Sequence, residues 1–110
     1  MATSRSFFEF ILDQLSGMDE ITFRAMMGEY ILYDHGKIAA YVCDDRLLVK
    51  PVPSAVRLLP DARQEPPYEG AKDMLVVDRV DDRAFLGELF RAMYPELPQP
   101  KKKKEKRNGI

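Results

Sequence analysis

The 110-residue chain is short of the residues that most often carry chemistry: one cysteine (Cys43), one histidine (His35) and no tryptophan. A lone cysteine closes no disulfide within the chain, so nothing ties the fold to an oxidising compartment, and the expected location is the cytoplasm. One His and one Cys also fall short of the about four ligands of a usual structural zinc site. Nor do they suit a nucleophile–base dyad. With His35 at a hairpin tip and Cys43 at the far end of the returning strand, extended geometry separates them by about 25 Å, against the ~3 Å of proton transfer. The phosphate-loop, dinucleotide and nucleophile-elbow patterns are missing. The adjacent acids Asp44-Asp45 and Asp81-Asp82 read as a turn and a helix cap. No catalytic residue, metal or cofactor is expected, and the chain reads as a non-enzyme. No apolar run approaches the roughly 18–20 residues that span a bilayer. The opening "MATSRSFFEFILDQL" carries acids inside its apolar stretch, which points to a helix of the mature protein and not to a signal peptide.

What is present is an ordinary globular composition, 45% hydrophobic and 32% charged, with the length of one domain. The net charge of -1 hides an asymmetry. Residues 101–107, "KKKKEKR", hold six basic groups and one acid, leaving 11 basic against 17 acidic groups in residues 1–100. The acidic body would repel phosphates, so only the tail, through Lys101, Lys102, Lys103, Lys104, Lys106 and Arg107, offers nucleic acid a hook. Such contact would be salt-sensitive and without sequence readout, because no recognition helix or base-stacking set accompanies it. Pro and charge with almost nothing to bury make residues 97–110 an expected mobile tail behind a domain of residues 1–96.

Along the chain, Thr3 or Ser4 can cap a helix whose apolar positions Phe7, Phe8, Ile11, Leu12 and Leu15 follow helical spacing, with Gly17 at its stop. "ITFRAM" alternates as a half-buried strand, and Gly28 suggests a bulge. "YILYDHGKIAAYV" reads as two strands around a three-residue loop, Asp34-His35-Gly36. That register sets Tyr33 opposite Lys37, Leu32 opposite Ile38 and Tyr30 opposite Ala40. A turn at Asp44-Asp45 sends "RLLVK" back, with Val42 opposite Leu47. Pro53 opens a short helix, "DMLVVDRV" is a further strand, and Asp81 or Asp82 caps a last helix with the stripe Phe85, Leu86, Leu89, Phe90 and Met93. The expected class is α+β: a two-layer domain with helices on one face of an antiparallel sheet, in the order α-β-β-β-α-β(β)-α.

Alternation sorts the hairpins into two faces. One carries Tyr30, Leu32, Ile38, Ala40, Val42, Leu47 and Val49 and must meet the helices. The other carries Glu29, Ile31, Tyr33, Lys37, Ala39, Tyr41, Arg46, Leu48 and Lys50, too apolar for an idle solvent face and too charged for a core. That mixture marks a surface for a protein partner or for self-association. Arg24, Met27, Gly28, Ile31, Tyr33, Tyr41 and Lys50 are its expected contacts, with Arg24 as a planar fork for an acidic group.

The stretch "FRAMMGEYILYDHGKIAAYVCDDRLLVKP" resembles the TfoX/Sxy N-terminal domain family. Its signature, approximately R-x-M-F-G followed by an aromatic hairpin and a D-x-(basic or polar)-L-(apolar)-(apolar)-K strand, finds Arg24, Met26, Gly28, Tyr33, Gly36, Leu47 and Lys50 at matching positions. Met27 stands where Phe is common. "PPYEGAKDM" resembles the family's proline-aromatic loop, and "LPQPKKKK" the ending of a subgroup with Lys-rich tails. The resemblance implies a secretion-chaperone-like α+β fold and a role in transcription regulation, since full-length members act as competence regulators alongside a transcription factor. Those members carry a second, helical domain with no counterpart in these 110 residues; the resemblance implies partner binding for the domain and does not decide competence control. The family supplies no agreed catalytic residues.

Overall fold

The computed structural model describes residues 3–99. Helix α1, Arg5–Gln14, is capped by Ser4, whose hydroxyl accepts from the Phe7 N–H at 3.2 Å and so satisfies one orphan donor of the first turn. Thr3 is buried instead, its hydroxyl donating to the Val42 carbonyl. Four strands follow, β1 (Ile21–Met26), β2 (Glu29–Asp34), β3 (Lys37–Cys43) and β4 (Arg46–Val49). Next come α2 (Pro53–Leu58), the short strands β5 (Gln64–Glu65) and β6 (Met74–Val76), α3 (Arg83–Met93) and a 3-10 turn, Tyr94–Glu96. One more strand precedes α2 than the expected order allowed. Every pairing is antiparallel, and the sheet runs β1-β2-β3-β4-β6-β5.

The first three hairpins share one device. Met27-Gly28, His35-Gly36 and Asp44-Asp45 each form a two-residue turn with positive φ at both positions. Such type I′ turns match the right-handed twist of the strands they join. Gly28 is therefore the second turn residue (φ 84°), not a bulge. The loop at His35-Gly36 is likewise one residue shorter than expected. Asp34 pairs with Lys37 and Tyr33 with Ile38, and a register shift beyond Tyr33 then sets Leu32 opposite Ala40 and Tyr30 opposite Val42. The two one-residue slips add to two, which restores the faces because side chains alternate with period two. The faces beyond the shift are thus as the pattern implied, while the turn-proximal ones are exchanged. Lys37 shares the face of Asp34 and is buried, its ammonium 4.4 Å from the centre of the Tyr94 ring. Ile38 shares the face of Tyr33, and Ala39 is buried in the main core.

That core lies between one sheet face and all three helices. It joins Phe8, Ile11 and Leu15 of α1, Leu32, Ala40, Val42, Leu47 and Val49 of the sheet, Ala55 of α2, and Phe85, Leu86, Leu89, Phe90 and Met93 of α3. Asp82 is the cap that α3 uses, accepting from the Phe85 N–H at 3.0 Å. Glu96 reaches back to the start of α2, accepting from the Ser54 N–H at 2.8 Å and the Ser54 hydroxyl at 2.7 Å. These bonds favour the ionised form and hold the Glu96 carboxyl below the usual carboxylate range. Leu97 is buried in the same core, so the packed domain continues past residue 96. The basic residues 101–107 lie outside the described residues.

Candidate functional site

On the opposite face, the outer positions of β3, β4 and β6 gather a second, smaller apolar cluster of Cys43, Leu48, Met74 and Val76, with Tyr41 against it. The sheet alone does not close this cluster; the segment after β5 does. Arg46 ties that segment and the end of β5 back to the β3–β4 hairpin with four bonds. Its Nη1 donates to Glu65 Oε1 at 2.7 Å and to the Pro66 carbonyl at 3.4 Å, its Nη2 to the Pro67 carbonyl at 3.4 Å, and its Nε to the Cys43 carbonyl at 3.2 Å. A guanidinium with a rigid fan of donors suits such a pin better than a lysine would. Under this cover, burial and then the nearby Glu29 carboxylate push the Cys43 thiol up to about 12. A thiol so shifted stays protonated near neutrality and is a poor nucleophile.

The pinned segment brings Tyr68 to Tyr41, ring centres 6.1 Å apart and tilted 58°. The two tyrosines form part of an open cleft of about 290 Å³ whose lining includes Lys50, Pro67, Lys72 and Met74. Burial, and then the neighbouring Tyr68, raise the Tyr41 phenol above its ordinary value, so it remains a neutral donor. Among the described residues, no ion pair engages Lys50 or Lys72. The cleft lining therefore combines two ammonium groups, two phenols and prolines with one carboxylate, that of Asp73. Its chemistry suits an extended segment that carries carboxylates and a flat or apolar side chain.

The seven expected contacts divide. Tyr41 and Lys50 line the cleft. Ile31 pairs with Tyr41 on one side and Arg24 on the other, which puts all three on the outer face; Ile31 is buried, so it supports that face without offering contact area. Tyr33 lies further along β2 and is half-buried. Met27 and Gly28 are not part of this group, for they form the β1–β2 tip, where Met27 is 97% exposed. Tyr68 and Lys72 are the members that sequence reading missed. The motif "PPYEGAK" was visible, but its return over the sheet is held by contacts with Arg46 and Tyr41, distant in the chain.

A second concavity of about 210 Å³ lies at the other end of the sheet, lined by Asp19, Asp34, His35, Arg91 and Tyr94 among others. Asp34 is buried there, and its carboxylate lies 2.7 Å from His35 Nδ1. This bond favours the imidazolium and raises the His35 pKa above its ordinary 6.5.

Taken together, the molecule is a two-layer α+β domain whose sheet carries helices on one side and a strapped, mixed-polarity cleft on the other. The profile of the TfoX N-terminal domain matches residues 13–93, and the chain belongs to that family. It is also 36% identical over 107 residues to an uncharacterised 12.7 kDa protein in the trpE 5′ region of Spirochaeta aurantia, covering 96% of this chain and 93% of that one. No solved structure matches the chain. Among the described residues, no helix is long and apolar enough to cross a membrane.

Proposed function

We propose that this protein is a non-enzymatic, cytoplasmic regulatory module that captures an acidic segment of a partner protein in the Tyr41–Tyr68 cleft. The observation that carries this reading is the pair of lysines, Lys50 and Lys72, flanking two tyrosines in an open groove on a domain whose overall charge is acidic. Local positive charge on an acidic body selects where a carboxylate-bearing partner lands, and the aromatic walls supply the desolvated contact. Membership of the TfoX N-terminal domain family supports a place in transcription regulation, with the partner a transcription factor. Ile31 and Tyr33 shape the outer face beside the cleft; Arg24 lies two strands from Tyr41 on that face, and Met27 and Gly28, at the β1–β2 tip, stand apart from it.

Fluorescence anisotropy with a labelled peptide rich in Glu and bearing one tyrosine tests the cleft directly. Binding is expected to weaken with salt and to fall roughly tenfold when Lys50 and Lys72 are both changed to Glu. Absence of binding, or binding indifferent to that double change in a protein that stays folded, would sink the reading. The run of basic residues at 101–107 favours one alternative, a nucleic-acid-associated protein held by its tail. Removing residues 101–110 separates the two: DNA retention disappears, whereas peptide binding persists.

A further inference from the structure

The sheet has two margins, and they are guarded unequally. β5 is two residues long and runs into Pro66 and Pro67, which lack an N–H. Arg63 adds ion pairs there with Glu65 at 3.1 Å and Asp78 at 3.5 Å. Short length, proline and charge are the devices that stop a margin from pairing with another chain. β1 has no proline, bulge or covering element among the described residues, spans six residues, and leaves Thr22, Phe23, Arg24 and Ala25 exposed. Phe23 is 50% exposed although its ring meets Phe8 edge-on at 5.0 Å.

The register shows which backbone groups that margin offers. Met26 and Glu29 flank a two-residue turn and exchange hydrogen bonds, so Arg24 and Thr22 also bond toward β2. The Glu20 carbonyl, accepting from the His35 N–H at 2.9 Å, falls on the same alternation. Ile21, Phe23 and Ala25 therefore turn their N–H and C=O groups to the open side.

We propose that β1 pairs antiparallel with β1 of a second copy, about a two-fold axis through Thr22. Charge decides among the registers that the outward-facing bonds permit. An axis at Thr22 sets Arg24 of each copy opposite Glu20 of the other. An axis at Phe23 sets Arg24 against Thr22, one at Ile21 sets it against Met18, and one at Arg24 opposes like charges, which is destabilising. The Thr22 axis also places Phe23 opposite Ile21 of the second copy at hydrogen-bonding positions, where the exposed half of the Phe23 ring gains cover. The product is one continuous sheet with the helices of both copies on the same side. The Tyr41 cleft plays no part in it, so the dimer and the peptide site stand or fall separately.

Sedimentation equilibrium of the whole chain tests this proposal. The wild-type protein is expected to show a concentration-dependent dimer. Arg24→Glu and Glu20→Arg are each expected to weaken it roughly tenfold or more, and the double exchange to restore it to within about threefold. Within one copy these residues stand about 13 Å apart along the strand, so a restored dimer reports contact between copies. Ala25→Pro supplies a second probe: it removes an outward N–H at a position where an edge strand tolerates proline, and loss of the dimer with an unchanged circular dichroism spectrum is expected. A wild-type protein that is monomeric at every concentration would overturn the proposal. So would a dimer indifferent to the charge reversals, or reversals whose effects add in the double variant.

Discussion

The β1 end and the β5 end of the sheet solve the same problem in opposite ways. At the β5 end, the outer face is covered by the chain's own segment, and a single guanidinium fixes that cover through Glu65 and the Pro66 and Pro67 carbonyls. Leu48, Met74 and Val76 beneath it are as buried as core residues. At the β1 end no segment among the described residues returns, and half of Phe23 and the central residues of the strand, Thr22 to Ala25, stay open to water. Burial at one end is thus completed within the molecule, whereas the other end retains groups that a second chain could complete. Stability should concentrate near β4 and β6, and pairing with a second copy at β1.

Substitution of buried apolar groups gives the largest contrast. Leu48→Ala is expected to cost about 2–5 kcal/mol in urea unfolding, as for a fully buried leucine, while Phe23→Ala should cost only about 1–2 kcal/mol because half of its ring is already hydrated. Equal losses would erase the difference between the two ends. The pin itself comes next. Arg46→Met is expected to cost about 1–3 kcal/mol, from bonds to a charged group that is mostly shielded from water. Limited proteolysis should then cut within residues 66–73 faster than in wild type; unchanged cleavage would mean that packing on Tyr41 and not Arg46 holds the cover. The smallest effect lies at the open end. Met27 is almost fully exposed with φ at 52°, a left-handed conformation that costs a bulky residue about 1–2 kcal/mol. Met27→Asn, which suits the first position of this turn before Gly28, should raise stability by about 1 kcal/mol in the same assay. A loss of stability would show that the methionine packs on something, contrary to its exposure.

Much of this architecture was legible before any coordinates. The stripe Phe8, Ile11 and Leu15 named the buried side of α1, and Phe85, Leu86, Leu89, Phe90 and Met93 that of α3. Both follow from a period of 3.6 residues meeting a single core. The alternation of β2 to β4 named Leu32, Val42 and Leu47 as core, and Ile31 and Tyr41 as the other face. Family membership was also readable, because the glycines and the Arg, Met, Tyr and Lys around the hairpins are local features.

The residues near Gly36 were misread for a physical reason. Two-residue and three-residue loops both accept glycine at a positive φ, and local sequence does not separate them. The two-residue turn pairs Lys37 with Asp34 and sets the Lys37 ammonium against Tyr94, a residue far along the chain.

By itself, then, the sequence determined the elements, their apolar faces and the positions of the turns, since these depend on neighbours a few residues away. Tertiary structure alone decided the length of the β2–β3 turn, the compensating shift after Tyr33, and the folding of residues 66–73 over the outer face. Each of those depends on a contact between distant segments: Lys37 with Tyr94, and Arg46 with Glu65, Pro66 and Pro67. No window of local pattern contains both partners of such a contact, and so the cleft, unlike the hairpins, became visible only once the chain was folded.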